Sequence, residues 1–249
     1  MLVLLSPAKN MADATGEGLP LTGPVFLPET GPILRALRAY SPWQLESLMK
    51  VNPEIALKTF DFYQKFDPAL PGSPAALSYH GLAYQNLDAA SFTGEDFAFA
   101  QQSLRFLSAF YGVLRPLDGM LPYRLDFLCP VKVEGKRLYS YWGDRIYQEI
   151  FSSGEPVADL CSGEYSRAFD PYRTGREPFV RCRFLQWRKG KWVTLPTEAK
   201  MARGQMARAV VKHRWTRPEQ LRDFSWAGYE FIPQLSTGEE YVFRKELLD

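Results

Sequence analysis

Four consecutive apolar residues, Leu2-Val3-Leu4-Leu5, run straight into Ser6-Pro7-Ala8-Lys9 and set the first constraint on this chain. A short apolar run with no polar alternation, closed by a proline-bearing turn, reads as a buried strand. In open α/β sheets, ligands bind beyond the carboxyl ends of strands. Lys9 therefore stands where a phosphate or carboxylate would arrive, or else is an exposed loop lysine. The run is too short for a secretory signal and has no basic leader. No stretch approaches a membrane span, so no membrane association is expected and the location expected is cytoplasmic.

The remaining pattern mixes strands and helices without repeats or regular βαβ alternation. Residues 10–31, rich in Gly, Pro and Thr, predict a long loop. Helices are expected at about 32–50 and 53–66, the second opened by Pro53. Ala75–Tyr79 predicts a strand. Thr93 with Asp96 forms a capping-box pattern opening a helix to about Phe110. A short strand or turn follows at Tyr111–Pro116, a helix with irregular entry at Leu138–Ser152, and a short strand at Val157–Cys161. Residues 179–195 predict two strands around Lys189-Gly190-Lys191. A basic helix spans 197–214, and a final hairpin joins Tyr229–Ile232 to Tyr241–Arg244. With 249 residues and 46% hydrophobic content, the expectation is one compact domain, 1–249, of mixed α/β class: a mixed sheet with surrounding helices.

Charge is distributed unevenly. The net charge is only +2. Residues 173–222 hold 14 Lys and Arg against three acids, a local +11, which leaves −9 on the other 199 residues. A basic segment on an acidic chain is the footprint of a polyanion partner, or a solvated face paired to acids elsewhere. The cations singled out for nucleic-acid or phosphate binding are Lys9, Lys50, Arg115, Arg124, Arg181, Arg183, Lys200, Arg203, Arg208 and Lys212. Lys50 lies in Met49-Lys50-Val51-Asn52-Pro53, between two helices. That arrangement has the shape of a helix-hairpin-helix, which binds phosphate through amides at the second helix's N-terminus. The usual hairpin glycine is missing.

Carboxylates beside aromatics mark two further junctions, Tyr141-Trp142-Gly143-Asp144 and Ser162-Gly163-Glu164-Tyr165. Each would orient neighbouring cations or serve as a general base. Lys9, Asp144 and Glu164 are therefore the catalytic candidates. Cys129, Cys161 and Cys182 lack metal or redox spacing and are expected to be buried, inert thiols. Two histidines, His80 and His213, exclude a His-rich cluster, and structural roles are expected for both. No metal site and no cofactor is expected.

These motifs together resemble the YaaA family of bacterial peroxide-stress proteins. The matching stretches are Ser6-Pro7-Ala8-Lys9, Tyr111 to Asp118 with Pro122 to Leu125, Trp142-Gly143-Asp144, Glu164-Tyr165, Ala199-Lys200 with Ala202-Arg203-Gly204, Met206 and Ala207-Arg208, and Gly228-Tyr229 with Phe231. The resemblance implies an α/β fold with a positively charged cleft and a helix-hairpin-helix element. It further implies affinity for DNA, duplex included, and a role in surviving hydrogen peroxide by keeping iron low and limiting DNA damage. With no paired cysteines and no haem motif, the chain is not expected to destroy peroxide itself. The loop at 10–31 and the turn at 49–53 depart from the family pattern.

Two functional readings follow. In the first, DNA lies along the cationic cleft, held by phosphates and largely independent of sequence. In the second, an enzyme acts on a nucleotide-like or phosphorylated small molecule in a pocket built from Lys9, Arg115, Asp144, Glu164 and Arg203. Embedded acids favour the second reading, because counterion-release binding asks only for cations.

Overall fold

In the computed structural model, which describes residues 1–12, 16 and 18–245, Leu2–Leu5 forms the central strand β1. Its four side chains are almost wholly buried. The remaining strands of the main sheet are β2 (Leu104–Ser108), β3 (Gly112–Leu114), β4 (Val157–Asp159), β5 (Phe179–Arg188), β6 (Lys191–Val193), β7 (Tyr229–Phe231) and β8 (Glu240–Lys245). The eight-stranded sheet runs β7-β8-β5-β4-β1-β2-β3, with β6 paired to β5. β8, β5, β4, β1 and β2 are parallel, while β3, β6 and β7 join antiparallel. The sheet is thus mixed, as expected. Its parallel centre goes beyond the expectation that no regular alternation would be found. Strands buried on both faces read as continuous apolar runs with no period of their own.

The longer helices are α1 (Thr30–Arg38), α2 (Pro42–Met49), α3 (Pro53–Lys65), α4 (Leu82–Leu87), α5 (Gly94–Ser103), α6 (Arg145–Phe151) and α7 (Pro196–His213). The predicted helix at 32–50 is broken in two. Ser41 caps α2, accepting from Gln44 N while the Gln44 side chain accepts from Ser41 N, and Pro42 fits the first turn. The Thr93–Asp96 capping box opens α5 as expected. However, α5 stops at Ser103 and the chain crosses into β2. Leu104, Phe106 and Leu107 fit either period, so spacing alone could not place that boundary. Arg105 makes the change possible. Its guanidinium donates to the carbonyls of Gln101, Gln102 and Leu104, satisfying groups the helix end would otherwise leave bare. Ala75–Ser78 is a helical turn rather than a strand, with extended chain only at Tyr79–His80. Residues 138–152 form two short helices, Leu138–Trp142 and α6.

The two expected hairpins, β5–β6 and β7–β8, are present. Gly112 has φ +70°, and a Cβ there would sit 2.7 Å from the Trp142 ring. That indole is fully buried and donates to Ala109 O at 2.9 Å. The long loop expected at 10–31 is largely non-regular before α1, and residues 13–15 and 17 lie outside the described residues. No described helix is long and apolar enough to cross a membrane.

Candidate functional site

The strand order places a topological switch at β1, with β2 on one side and β4 on the other. The crevice beyond the carboxyl ends of such strands is where an α/β sheet receives a ligand. A cavity of about 300 Å³ lies there. Ser6 to Lys9 enter it from the end of β1. Ser162, Glu164 and Tyr165 enter from the segment after β4. His80 to Tyr84 close one wall, and Lys200 and Arg203 reach in from α7.

The loop after β1 is held from three directions. Ser6 Oγ accepts from Ser162 N at 2.9 Å, and the Tyr84 hydroxyl donates to Ser6 O at 3.1 Å. Lys9 Nζ lies 2.7 Å from Asp126 Oδ2, whose Oδ1 accepts from the Tyr165 hydroxyl at 3.2 Å. Asp159, at the end of β4, is fully buried. It accepts from Cys161 N, Ser166 Oγ and Arg181 Nε at 2.7–2.8 Å.

The cavity lining carries both cations and carboxylates. The Arg203 side chain is largely buried, and its Nε has no partner among the described residues. Burial weakens its hold on its proton, and the neighbouring Cys161 and Asp159 act in the opposite sense. Lys200 stands exposed on the same helix. In the same lining, burial raises the Glu164 carboxyl above the usual carboxylate range, and the Asp126 charge adds to the rise. Its Oε1 accepts weakly from Leu128 N at 3.3 Å. A carboxyl raised in this way and lining a cleft is a candidate for proton transfer.

A second cavity of about 480 Å³ shares Lys9, Asp126 and Glu164 with the first and adds Lys50, Arg124 and Arg137. Lys50 occupies the turn between α2 and α3. It takes a left-handed conformation, φ 52°, and Asn52 then caps α3 by accepting from Ile55 N. Together the two cavities are lined by six Lys or Arg side chains and two carboxylates.

Five of the ten phosphate candidates therefore gather here: Lys9, Lys50, Arg124, Lys200 and Arg203. The other five lie elsewhere, each paired to an acid. Arg115 is held by Asp118 and also donates to Gly23 O. Arg181 pairs with Asp159 and Asp170, and Arg183 with Glu240. Arg208 pairs with Asp88, and Lys212 with Asp96. Asp144 is exposed at the start of α6 and lines neither cavity. The basic segment 173–222 is thus divided, much of it neutralised by acids distant in sequence, so a local charge count overstated its free charge. Sequence reading missed Asp126, Arg137 and the rim position of His80. Asp126 and Arg137 carried no signal beyond lying near the Pro122–Leu125 motif and the Leu138 helix.

The cysteines are buried and free. Burial pushes Cys161 and Cys182 well above the ordinary thiol range. Among the described residues no group of three or more His, Cys, Asp or Glu is placed to hold a metal.

A UPF0246 protein of Agathobacter rectalis is 35% identical over 248 residues, covering 99% of this chain and 100% of the relative. One of Clostridioides difficile is 34% identical over 249 residues, with 99% and 100% covered. One of Bacteroides fragilis is 38% identical over 251 residues, with 98% of each covered. Residues 1–235 match the family model described as peroxide stress protein YaaA, and the chain belongs to that family.

Proposed function

We propose that this peroxide-stress family member binds DNA, largely without reading sequence, and helps limit iron-dependent oxidative damage. The observation that supports this reading is the ratio of six cations to two carboxylates around two adjoining cavities. Cations massed against phosphates release counterions and bind regardless of base sequence. In this reading Lys50, Arg124 and Arg137 carry the backbone beside the α2–α3 turn. Lys200 and Arg203 receive a phosphate at the switch-point cavity. The turn plays the part of a helix-hairpin-helix, with Lys50, at φ 52°, in the left-handed conformation that a glycine usually takes.

Charge reversal tests it. Lys50→Glu with Arg124→Glu is expected to weaken duplex binding strongly in a fluorescence-anisotropy titration, whereas Arg183→Glu is expected to change it little. Equal weakening by both would refute the placement.

A second reading is favoured by one observation. Arg203 has a buried, unpartnered Nε at a cavity of about 300 Å³ that also holds Glu164. A largely buried cation without a partner calls for an anion. In this reading the cavity accepts a nucleotide-like or phosphorylated small molecule, and Glu164 moves its proton. Arg115 and Asp144 take no part. Thermal shift against nucleotides and sugar phosphates separates the two readings. A ligand at a hundred times its Kd stabilises by about 2.7 kcal/mol, and Arg203→Met would abolish that shift while leaving most duplex affinity.

A further inference from the structure

The β5–β6 hairpin carries exposed cations that neither cavity uses. Register fixes its reach. Asp159, the last residue of β4, lies opposite Arg181, and β5 continues seven residues further, to Arg188. At about 3.3 Å per residue the tip stands roughly 23 Å beyond the carboxyl end of β4. β5 is parallel to β4 and β4 to β1. The overshoot past β4 therefore runs beyond the same end of the sheet that opens into the switch-point cavity, with β8 beside it as far as Gln186. The hairpin is also joined to the cavity in sequence. β6 ends at Val193 and α7, which bears Lys200 and Arg203, begins at Pro196.

The tip is stiff and strongly positive. Lys189 and Gly190 both have positive φ, 48° and 78°, as a two-residue type I′ turn requires. Trp187 and Trp192 face each other across the strands with ring centroids 5.4 Å apart. The Arg244 guanidinium lies 4.2 Å over Trp192. Residues 187–191 are all exposed, and Arg188, Lys189 and Lys191 stand within a stretch, 178–197, that contains no acid.

We propose that this hairpin is a second DNA-contacting arm, gripping backbone phosphates at a distance from the cavities. The proposal rests on the reading of the cavities as a DNA site. A separation of roughly 23 Å corresponds to about seven base pairs at 3.4 Å each. Contact at both places would lengthen the footprint by that amount.

The test uses the full chain and the triple variant Arg188→Gln, Lys189→Asn, Lys191→Gln, in which every altered residue is exposed and Asn tolerates positive φ. Binding is measured by anisotropy on short duplexes and on duplexes about seven base pairs longer. The wild type is expected to gain affinity on the longer duplexes. The variant is expected to lose that gain, about tenfold, with a salt slope shallower by about 2.7 and unchanged binding to short duplexes. A variant that keeps the full length dependence and slope overturns the arm. Duplex binding that Lys50→Glu with Arg124→Glu leaves intact counts against the cavity reading, and with it the two-site footprint, whatever the triple variant does. A wild type that binds no duplex of any length overturns both.

Discussion

Replacing Gly204 with alanine should separate the two helices that frame the switch-point cavity. A Cβ at Gly204 would lie 2.0 Å from Ala83 O and 2.8 Å from Ala83 C, both backbone atoms of α4. Ordinary contact begins near 3.4 Å, so α4 and α7 must part by about 1.4 Å. Two links across this interface would stretch: Gln205 Nε2 to Asn86 Oδ1, at 3.1 Å, and Arg208 to the carbonyls of Leu87 and Asp88. Overpacking of this kind costs about 1–3 kcal/mol. The higher helix propensity of alanine offsets about 1 kcal/mol of that. Because a backbone atom cannot rotate away, the upper half of the range applies, for a net loss of about 1–2 kcal/mol. Urea unfolding at neutral pH measures it. Gly94→Ala serves as control, since a Cβ there meets nothing within 4 Å in the first turn of α5. The control should match the wild type or exceed it slightly. A Gly204→Ala protein as stable as Gly94→Ala would refute the close-approach argument. Ligand or DNA binding at the cavity should weaken with it, because Lys200 and Arg203 ride on the displaced helix.

Other consequences are open to measurement. Lys212, then the Thr93 backbone N–H, hold the Asp96 carboxyl far below the usual range, so its stabilisation is present above the unfolded pKa and disappears as pH falls through the carboxylate range and below it. Asp96→Asn should cost about 1–3 kcal/mol at pH 7 and flatten the acid limb of a stability–pH profile, whereas an unchanged limb would argue against the pairing. The Thr174 backbone N–H, then the Tyr147 hydroxyl, bring Glu177 down to about 2, so the same profile in Glu177→Gln should lose slope between the ordinary glutamate range and about pH 2. Glu164 has the opposite sign: its folded pKa is raised, so its ionisation opposes folding as pH climbs through the unfolded value. Glu164→Gln should therefore be slightly more stable than wild type near neutrality and equal to it in acid; reduced stability at pH 7 would show that the carboxylate is better satisfied than its surroundings indicate. Purified protein should not turn over hydrogen peroxide catalytically; following peroxide consumption with and without a thiol reductant checks this, and catalytic loss of peroxide would refute it.

Several parts of the fold could be read directly from residues. The apolar run Leu2–Leu5 reads as a buried strand, and Ser6 to Lys9 behind it fall at the strand's carboxyl end, where the cavity opens. The Thr93–Asp96 box and the Lys189-Gly190 turn are local chemistry, so they appear in the structure where the sequence placed them. The α5-to-β2 crossing was hidden because Leu104, Phe106 and Leu107 satisfy both periods, and the cue that decides it is the carbonyl cap by Arg105. The site was legible in part for a related reason. Motif residues at strand ends and on α7 converge, whereas pairing between distant acids and bases leaves no trace in a linear charge count. Asp88, Asp96, Asp159 and Glu240 each claim a cation from the basic segment or its flank. Lys50 and Arg124, outside that segment, form no ion pair among the described residues and line the shared crevice.

The salt dependence of duplex binding addresses the whole account. On duplexes too short to reach the β5–β6 hairpin, with up to six phosphate contacts at the two cavities, log Kd plotted against log salt should have a slope of about 5, at about 0.9 per contact. Replacing Lys50 and Arg124 by glutamine should take off about two contacts' worth. Binding that persists unchanged from low to high salt, or a slope indifferent to those two replacements, would contradict it.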